Sequence, residues 1–146
     1  MYRLIGDNHL LDGLPFSAQV FVRALDRVRG RLADEAGVTR IELQALGRIA
    51  EESDIDAPAL AKHLETSTDT AGSVVDDLVE RGLLTRDSAP LLELSPAGHT
   101  LMVKVYGDFQ DMIVGAADSL DEERRYVFES ALLKMARKLD DAAAAR

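Results

Sequence analysis

The sequence predicts a mainly α-helical protein with one small two-stranded antiparallel sheet. Three observations in residues 56–95 support this fold class. Two short segments carry apolar residues at helical spacing, and each follows a residue suited to cap a helix. Two short apolar runs, 83–85 and 91–94, flank the turn-forming residues 87–90. Two small helices joined by a tight turn and followed by a β-hairpin are typical of a winged helix-turn-helix.

The two helices of this stretch have clear boundary signals. Asp56 is suited to cap the first helix, with Pro58 early in it, where the missing N–H of proline does no harm. Ser67 is suited to cap the second helix, and Gly82 is suited to end it. The residues expected on the buried side of the pair are Leu60, Ala61, Leu64, Ala71, Val74, Val75 and Leu78.

Two further helices are predicted before this stretch. Residues 1–14 show no clear period and are predicted to form an irregular arm, either solvated or packed on a partner subunit. A helix is predicted from Pro15 or Ser17 to Glu35, with apolar residues at Phe21, Leu25, Val28 and Leu32. The capping-box sequence 39–42 then opens a helix that carries Ile41, Ala45, Leu46 and Ile49.

Two more helices are predicted after the hairpin. Ser95 followed by Pro96 indicates the start of a long helix. After a break, either Ser119 or Asp121 caps a last helix, and residues 140–146 are expected to fray.

Several of these segments resemble the MarR family of bacterial transcription regulators. The residues that carry the resemblance are Leu60-Ala61-Lys62-His63-Leu64, Ser67, Thr70, Val75-Asp76-Asp77-Leu78, Arg81-Gly82-Leu83 and Leu92-Glu93-Leu94-Ser95-Pro96-Ala97-Gly98. With the flanking helices, the resemblance covers roughly residues 16–139. It implies one domain over 1–146, with a winged-helix lobe at about 39–98 and dimerisation helices at about 15–37 and 99–140.

The resemblance also implies a function and a set of site residues. It implies a homodimer that binds double-stranded DNA at a pseudo-palindromic operator and can respond to a small aromatic or anionic effector. The hydroxyl residues at the family's DNA-contact positions are Ser67, Thr68, Thr70 and Ser73, and cations that could add phosphate contacts are Arg40, Lys62 and Arg86. For Ser67 and Thr70, helix capping is the alternative role.

The outer helices are expected to form the dimer interface and to border a ligand cavity. The interface residues would be Phe16, Phe21, Leu120, Phe128, Leu132 and Met135, although a monomer with a self-contained core remains the alternative. The cavity would be lined by Val20, Leu101, Tyr106 and Phe109, for which ordinary core packing is the alternative.

The charge pattern favours a second hypothesis for function. The net charge is -9 and the sequence pI is about 4.7. No Lys or Arg lies between Lys62 and Arg81, and the carboxylates in that interval are Glu65, Asp69, Asp76, Asp77 and Glu80. Carboxylates repel phosphate, so the alternative is a MarR-like dimer that has lost DNA binding and acts as a protein- or ligand-binding module.

Other functional classes have little support in the sequence. There is no cysteine, and His9, His63 and His99 lack the spacing of a metal site. No catalytic motif is present, so we expect no catalytic residue, metal or cofactor, and an enzyme or carrier using the cavity is the remaining alternative. No apolar run is long enough to cross a membrane and the start lacks a secretory pattern, which favours a cytoplasmic protein.

Overall fold

The computed structural model describes residues 13–145, which form six helices and two short strands. In chain order these elements are α1 (Gly13–Ala36), α2 (Arg40–Glu51), α3 (Ala57–His63), α4 (Thr68–Glu80), β1 (Leu84–Thr85), β2 (Glu93–Leu94), α5 (Pro96–Ala116) and α6 (Glu122–Ala144). The predicted mainly α-helical winged helix-turn-helix is confirmed. The chain divides into two compact units, and the boundary follows Phe109.

The core of the first unit lies where α2, α3 and α4 meet. Leu46, Leu60 and Leu78, one from each of these helices, are completely buried. The short turn between α3 and α4 passes through Glu65, whose φ of 53° lies in the left-handed region that non-glycine residues avoid. This turn sets α4 across α3, as the helix-turn-helix plan requires.

The helix starts follow the local sequence signals. Asp56 caps α3 by accepting a hydrogen bond from the Ala59 N–H at 2.9 Å. Thr39 and Glu42 form the predicted capping box at the start of α2. Gly82, with a φ of 75°, lies just past the end of α4. These predictions are confirmed because each depends only on neighbours within one helical turn.

The sheet is shorter than the sequence predicted. β1 and β2 pair antiparallel, with Leu84 opposite Leu94 and Thr85 opposite Glu93. Residues 91–92 leave this ladder and pair with the segment before α3, where the Leu92 N–H donates to the Ile55 carbonyl at 2.8 Å. The prediction of strands at 83–85 and 91–94 was therefore wrong at their ends.

The start of α5 packs directly on the backbone before β1. A Cβ added to Gly98 would lie 2.0 Å from the carbonyl oxygen of Leu83. Ser95 holds this junction by accepting a hydrogen bond from the Gly98 N–H at 3.0 Å and by donating to the Gly82 carbonyl. The predicted Ser95–Pro96 helix start is confirmed.

The terminal helices are longer than expected. α1 begins at Gly13, so residues 13–14 are helical rather than part of an irregular arm, while residues 1–12 of that predicted arm lie outside the described residues. Asp121, not Ser119, caps α6, which continues to Ala144, so the expected fraying from residue 140 was wrong up to that point. No residue of α6 is buried. No helix within residues 13–145 is long and apolar enough to span a membrane.

Candidate nucleic-acid interface and ligand cleft

The N-cap and the exposed side of the first two turns of α4 carry the predicted hydroxyl residues. Ser67 caps the helix: its Oγ accepts from the Thr70 N–H at 3.1 Å and donates to the Thr70 Oγ1 at 2.9 Å. Thr68 and Ser73 are exposed, and neither side chain has a hydrogen bond within the described part of the chain. Thr68 and Ser73 are therefore the hydroxyls of this group that are available to a ligand.

Carboxylates surround Ser73 along the exposed side of α4. Asp69 lies four residues before it, and Asp76 and Asp77 lie three and four residues after it. Residues at these spacings are neighbours on a helix surface. A phosphate close to Ser73 would therefore meet negative charge within one turn in both directions.

The two cations within residues 63–103 are already engaged in the folded chain. Arg81, at the end of α4, lies 3.1 Å from Glu42 Oε2 and also donates to the carbonyl of Gly37. Arg86, just after β1, forms an ion pair with Asp76 of α4. Both cations of this interval are thus used for internal contacts.

The other two predicted phosphate-binding cations lie in different surroundings. Lys62 on α3 is exposed and forms no ion pair within the described residues, so it remains available. Arg40, the first residue of α2, lies against the backbone of Gly30 in α1, where a Cβ added to the glycine would be 2.3 Å from its guanidinium. Arg40 lines a cleft that includes residues of α1 and α5.

Glu42 is the most buried charged group of the described chain and joins the start of α2 to the end of α4. Its side chain is only 8% exposed, and it contacts the N–H of Thr39 at 2.8 Å as well as Arg81. Burial alone would raise the pKa of Glu42, but the hydrogen bonds from Thr39 and the charge of Arg81 together lower it below its usual value of 4.5. The carboxylate therefore stays ionised and ties the start of α2 to the end of α4.

The cleft that contains Arg40 has a volume of about 610 Å³. One face of α2 forms part of the cleft through residues spaced three or four apart, and α1 and α5 form further walls. The lining residues of these three helices are Asp26, Arg29, Leu32, Arg40, Leu43, Gln44, Gly47, Arg48, Glu51, Met102, Val105, Tyr106 and Phe109. His63, Leu64 and Glu65 complete the lining. Apolar, aromatic and charged groups thus face one space.

Charge within the cleft is unevenly compensated. The guanidinium of Arg29 lies 3.6 Å from Asp26, and that of Arg48 lies 3.6 Å from Glu52. Arg40 forms no ion pair within residues 13–145. Of the arginines that line the cleft, Arg40 is therefore the one with a charge available to an anionic ligand.

Tyr106 connects α5 to α2 across the cleft. Its hydroxyl lies 3.2 Å from Glu51 Oε1 and 3.3 Å from the Gly47 carbonyl oxygen. Burial, the charge of Glu51 and the hydrogen bond between them raise the pKa of Tyr106 to about 12. The phenol therefore remains protonated and acts as a donor near neutral pH.

The structure brings together only some of the predicted cavity residues. Tyr106 and Phe109 line the cleft, whereas Val20 and Leu101 do not. Leu101 is half-buried on α5, and Val20 is 44% exposed on α1.

The predicted interface residues lie on surfaces that one chain leaves open. Phe21, Phe128, Leu132 and Met135 are between 40% and 47% exposed, and Phe16 and Leu120 are half-buried. Further exposed apolar residues accompany them on the same two helices, namely Leu14, Val20, Val22, Tyr126, Val127, Leu133 and Leu139.

Sequence reasoning missed three of these contacts. They are the Glu42–Arg81 pair, the packing of Arg40 on Gly30, and the hydrogen bond of Tyr106 to Glu51. The capping box marked Glu42, but nothing local pointed to a partner 39 residues away.

Comparison with known proteins agrees with this geometry. The sequence model of the MarR family matches residues 36–90. A solved mutant of S. aureus MepR is 15% identical, covering 88% of this chain and 99% of its own, with a TM-score of 0.70. A Mycobacterium tuberculosis MarR family protein, solved in complex with DNA, is 18% identical, covering 85% and 98%, also with a TM-score of 0.70. The reduced form of MarR from E. coli is 18% identical, covering 85% and 95%, with a TM-score of 0.64.

These matches define the fold of the chain. It has the winged helix-turn-helix fold of these solved structures, and the predicted resemblance to the MarR family is supported by the family model over residues 36–90. None of the curated proteins matches the sequence.

Proposed function

We propose that this protein is a cytoplasmic, non-enzymatic transcription regulator that binds a pseudo-palindromic DNA operator as a homodimer. The observation that carries the proposal is the exposed side of the first two turns of α4, which presents Thr68 and Ser73 from the second helix of a helix-turn-helix. In this motif, that end of the second helix contacts base edges in the major groove. The structurally similar M. tuberculosis protein was solved in complex with DNA, which supports the same role here.

A second copy of the chain is proposed to cover the outer helices. Helix α6 has no buried residue, and exposed aromatic and aliphatic side chains lie along both α1 and α6. Exposed apolar helix surfaces of this kind mark interaction sites. A two-fold axis would place the two α4 helices on successive major-groove faces, about 34–36 Å apart.

The residues proposed to contact DNA differ in whether their side chains already have a partner within the folded chain. Thr68, Ser73 and Lys62 are available, Ser67 and Thr70 contribute mainly through the cap, and Arg86 must first leave Asp76. Arg40 lies in the cleft and is therefore a better candidate for a ligand contact than for a phosphate contact.

Mobility shift on the DNA upstream of the protein's own gene tests DNA binding. We expect specific complexes at low salt that weaken when Thr68→Ala and Ser73→Ala are introduced together, because the exposed hydroxyls are lost from the helix tip. Thr100→Ala on α5 is the matched control, since this exposed threonine lies outside α4. Sedimentation at micromolar concentration tests the dimer, and a single chain there contradicts it.

The absence of any shift, even at low salt, would favour the alternative function. In that case the protein is a MarR-like dimer that binds a protein or ligand instead of DNA. The carboxylates that flank Ser73 on α4 are the observation that favours this alternative.

We also propose that the cleft binds a small aromatic anion and thereby makes DNA binding ligand-responsive. Its volume lies within the range of about 300–1,000 Å³ of small-molecule sites. The unpaired guanidinium of Arg40 could meet a carboxylate, while Tyr106 and Phe109 supply aromatic contact. Benzoate is a suitable probe: millimolar benzoate should raise the melting temperature of the wild type but not that of Arg40→Gln, whereas an equal rise in both would contradict the assignment.

A further inference from the structure

The ion pair between Arg86 and Asp76 links the hairpin to the recognition helix. Arg86 follows β1 directly, and Asp76 lies in the middle of α4, ten residues earlier. Both side chains are largely exposed, at 53% and 70%. Asp76 lies three residues after Ser73 on the exposed side of α4, so the pair adjoins the surface where the proposed function places the DNA.

Arg86 differs from the other cation of residues 63–103 in how firmly it is held. Between residues 63 and 103 the chain has two cations, and the other one, Arg81, is held by the buried carboxylate of Glu42. Arg81 can leave Glu42 only by exposing a carboxylate that is 8% accessible, whereas Arg86 can exchange its partner at an open surface. Arg86 is thus the cation that can change partners.

We propose that Asp76 is an internal competitor for Arg86 that occupies its guanidinium in the free protein and is displaced by a DNA phosphate on binding. Two oxygens of a phosphate can accept from the guanidinium in the same bidentate way as those of a carboxylate, so one group can replace the other without rearrangement of the fold. The exchange leaves Asp76 unpaired next to the DNA, and this weakens the complex. Asp76 would then act as a positioning residue that limits affinity, and this role rests on the proposed function.

The test compares two neighbouring carboxylates of α4. Asp76→Asn and Asp77→Asn remove the same charge from adjacent residues, but the Asp77 side chain has no ion pair or hydrogen bond within the described residues. Fluorescence anisotropy with a random-sequence duplex measures phosphate contact regardless of sequence. At low salt, Asp77→Asn should tighten binding by about 2–3-fold through charge alone, and Asp76→Asn by about tenfold or more because it also releases Arg86.

A second background separates release of Arg86 from simple loss of charge, and the salt dependence tests whether Arg86 reaches the DNA. One phosphate contact per protomer contributes about 0.9 to the slope of log affinity against log salt, or about two for a dimer. Because Arg86 contacts phosphate in the wild-type complex as well, the slope should be equal for wild type, Asp76→Asn and Asp77→Asn, and it should be smaller by about that amount for Arg86→Ala. In an Arg86→Ala background the two asparagine variants should have equal effects, and thermal unfolding of each variant checks that the fold is retained.

The outcomes distinguish this inference from the function on which it rests. If the wild type binds DNA and Asp76→Asn behaves like Asp77→Asn, the inference is wrong and the proposed function stands. If no variant, including Asp76→Asn, binds DNA at low salt, the proposed function is wrong and the inference is lost with it.

Discussion

The two arginines near the C-terminal side of α4 form the same type of ion pair in contrasting surroundings. Arg81 contacts Glu42, whose side chain is 8% exposed, whereas Arg86 contacts Asp76, whose side chain is 70% exposed. Loss of a buried partner leaves an uncompensated charge, while a surface pair contributes about 0–1 kcal/mol. The Arg81–Glu42 pair therefore stabilises the fold, whereas the Arg86–Asp76 pair can be exchanged for a functional contact with little loss of stability.

The largest expected effect comes from removing the buried carboxylate. Glu42→Ala should lower the free energy of unfolding by about 2–3 kcal/mol, because hydrogen bonds to charged groups contribute about 1.5–3 kcal/mol and Glu42 bonds both Thr39 and Arg81. Chemical denaturation measures the change. Glu80→Ala, at an exposed glutamate of α4, is the control and should change stability by less than about 0.5 kcal/mol.

Acid should remove the same contribution without a mutation. The pKa of Glu42 is lowered in the folded state from its ordinary value of 4.5, so its contribution is complete above that pH and is lost as the pH falls through the lower folded value. The stability difference between wild type and Glu42→Gln should therefore shrink as denaturation is repeated from pH 7 to pH 3. A difference that stays constant over this range would contradict the assignment.

A smaller effect on stability is expected when Arg81 is replaced by lysine, which keeps the positive charge but lacks the planar guanidinium. Lysine cannot reproduce the contacts of one guanidinium with both Glu42 and the Gly37 carbonyl, so Arg81→Lys should cost about 1–1.5 kcal/mol of stability. Thermal unfolding measures this change. Equal stability of the variant and the wild type would show that charge alone is sufficient at this position.

The smallest effect is expected at the exposed pair. Arg86→Lys should change the free energy of unfolding by less than about 0.5 kcal/mol, because both partners are largely in water. Denaturation under the conditions used for Arg81→Lys provides the comparison. A loss as large as that of Arg81→Lys would mean that the hairpin depends on Arg86 for its fold.

Local signals allowed much of the fold to be predicted. The caps at Thr39, Asp56 and Ser67 were read correctly because each cap involves residues no more than three positions apart. The order of the helices and the hairpin followed from apolar spacing and from turn residues.

The remaining features depend on contacts between distant segments. The strands are short because residues 91–92 pair with the segment before α3, and no pattern within the hairpin signals that competition. Arg40, predicted as a phosphate contact, packs on the backbone of Gly30, and a charge in the sequence carries no information about which neighbour approaches it. Long-range packing of this kind becomes visible only in the folded chain.

The close approach of Gly98 to Leu83 has a mechanical consequence. Because backbone meets backbone there, with no side chain between them that could rotate aside, the first turn of α5 and the segment before β1 must move together. A shift of the first turn of α5 would therefore move the β1–β2 hairpin by nearly the same distance. Any side chain at position 98 would clash with the Leu83 carbonyl and force the two backbone segments apart, so only glycine fits there.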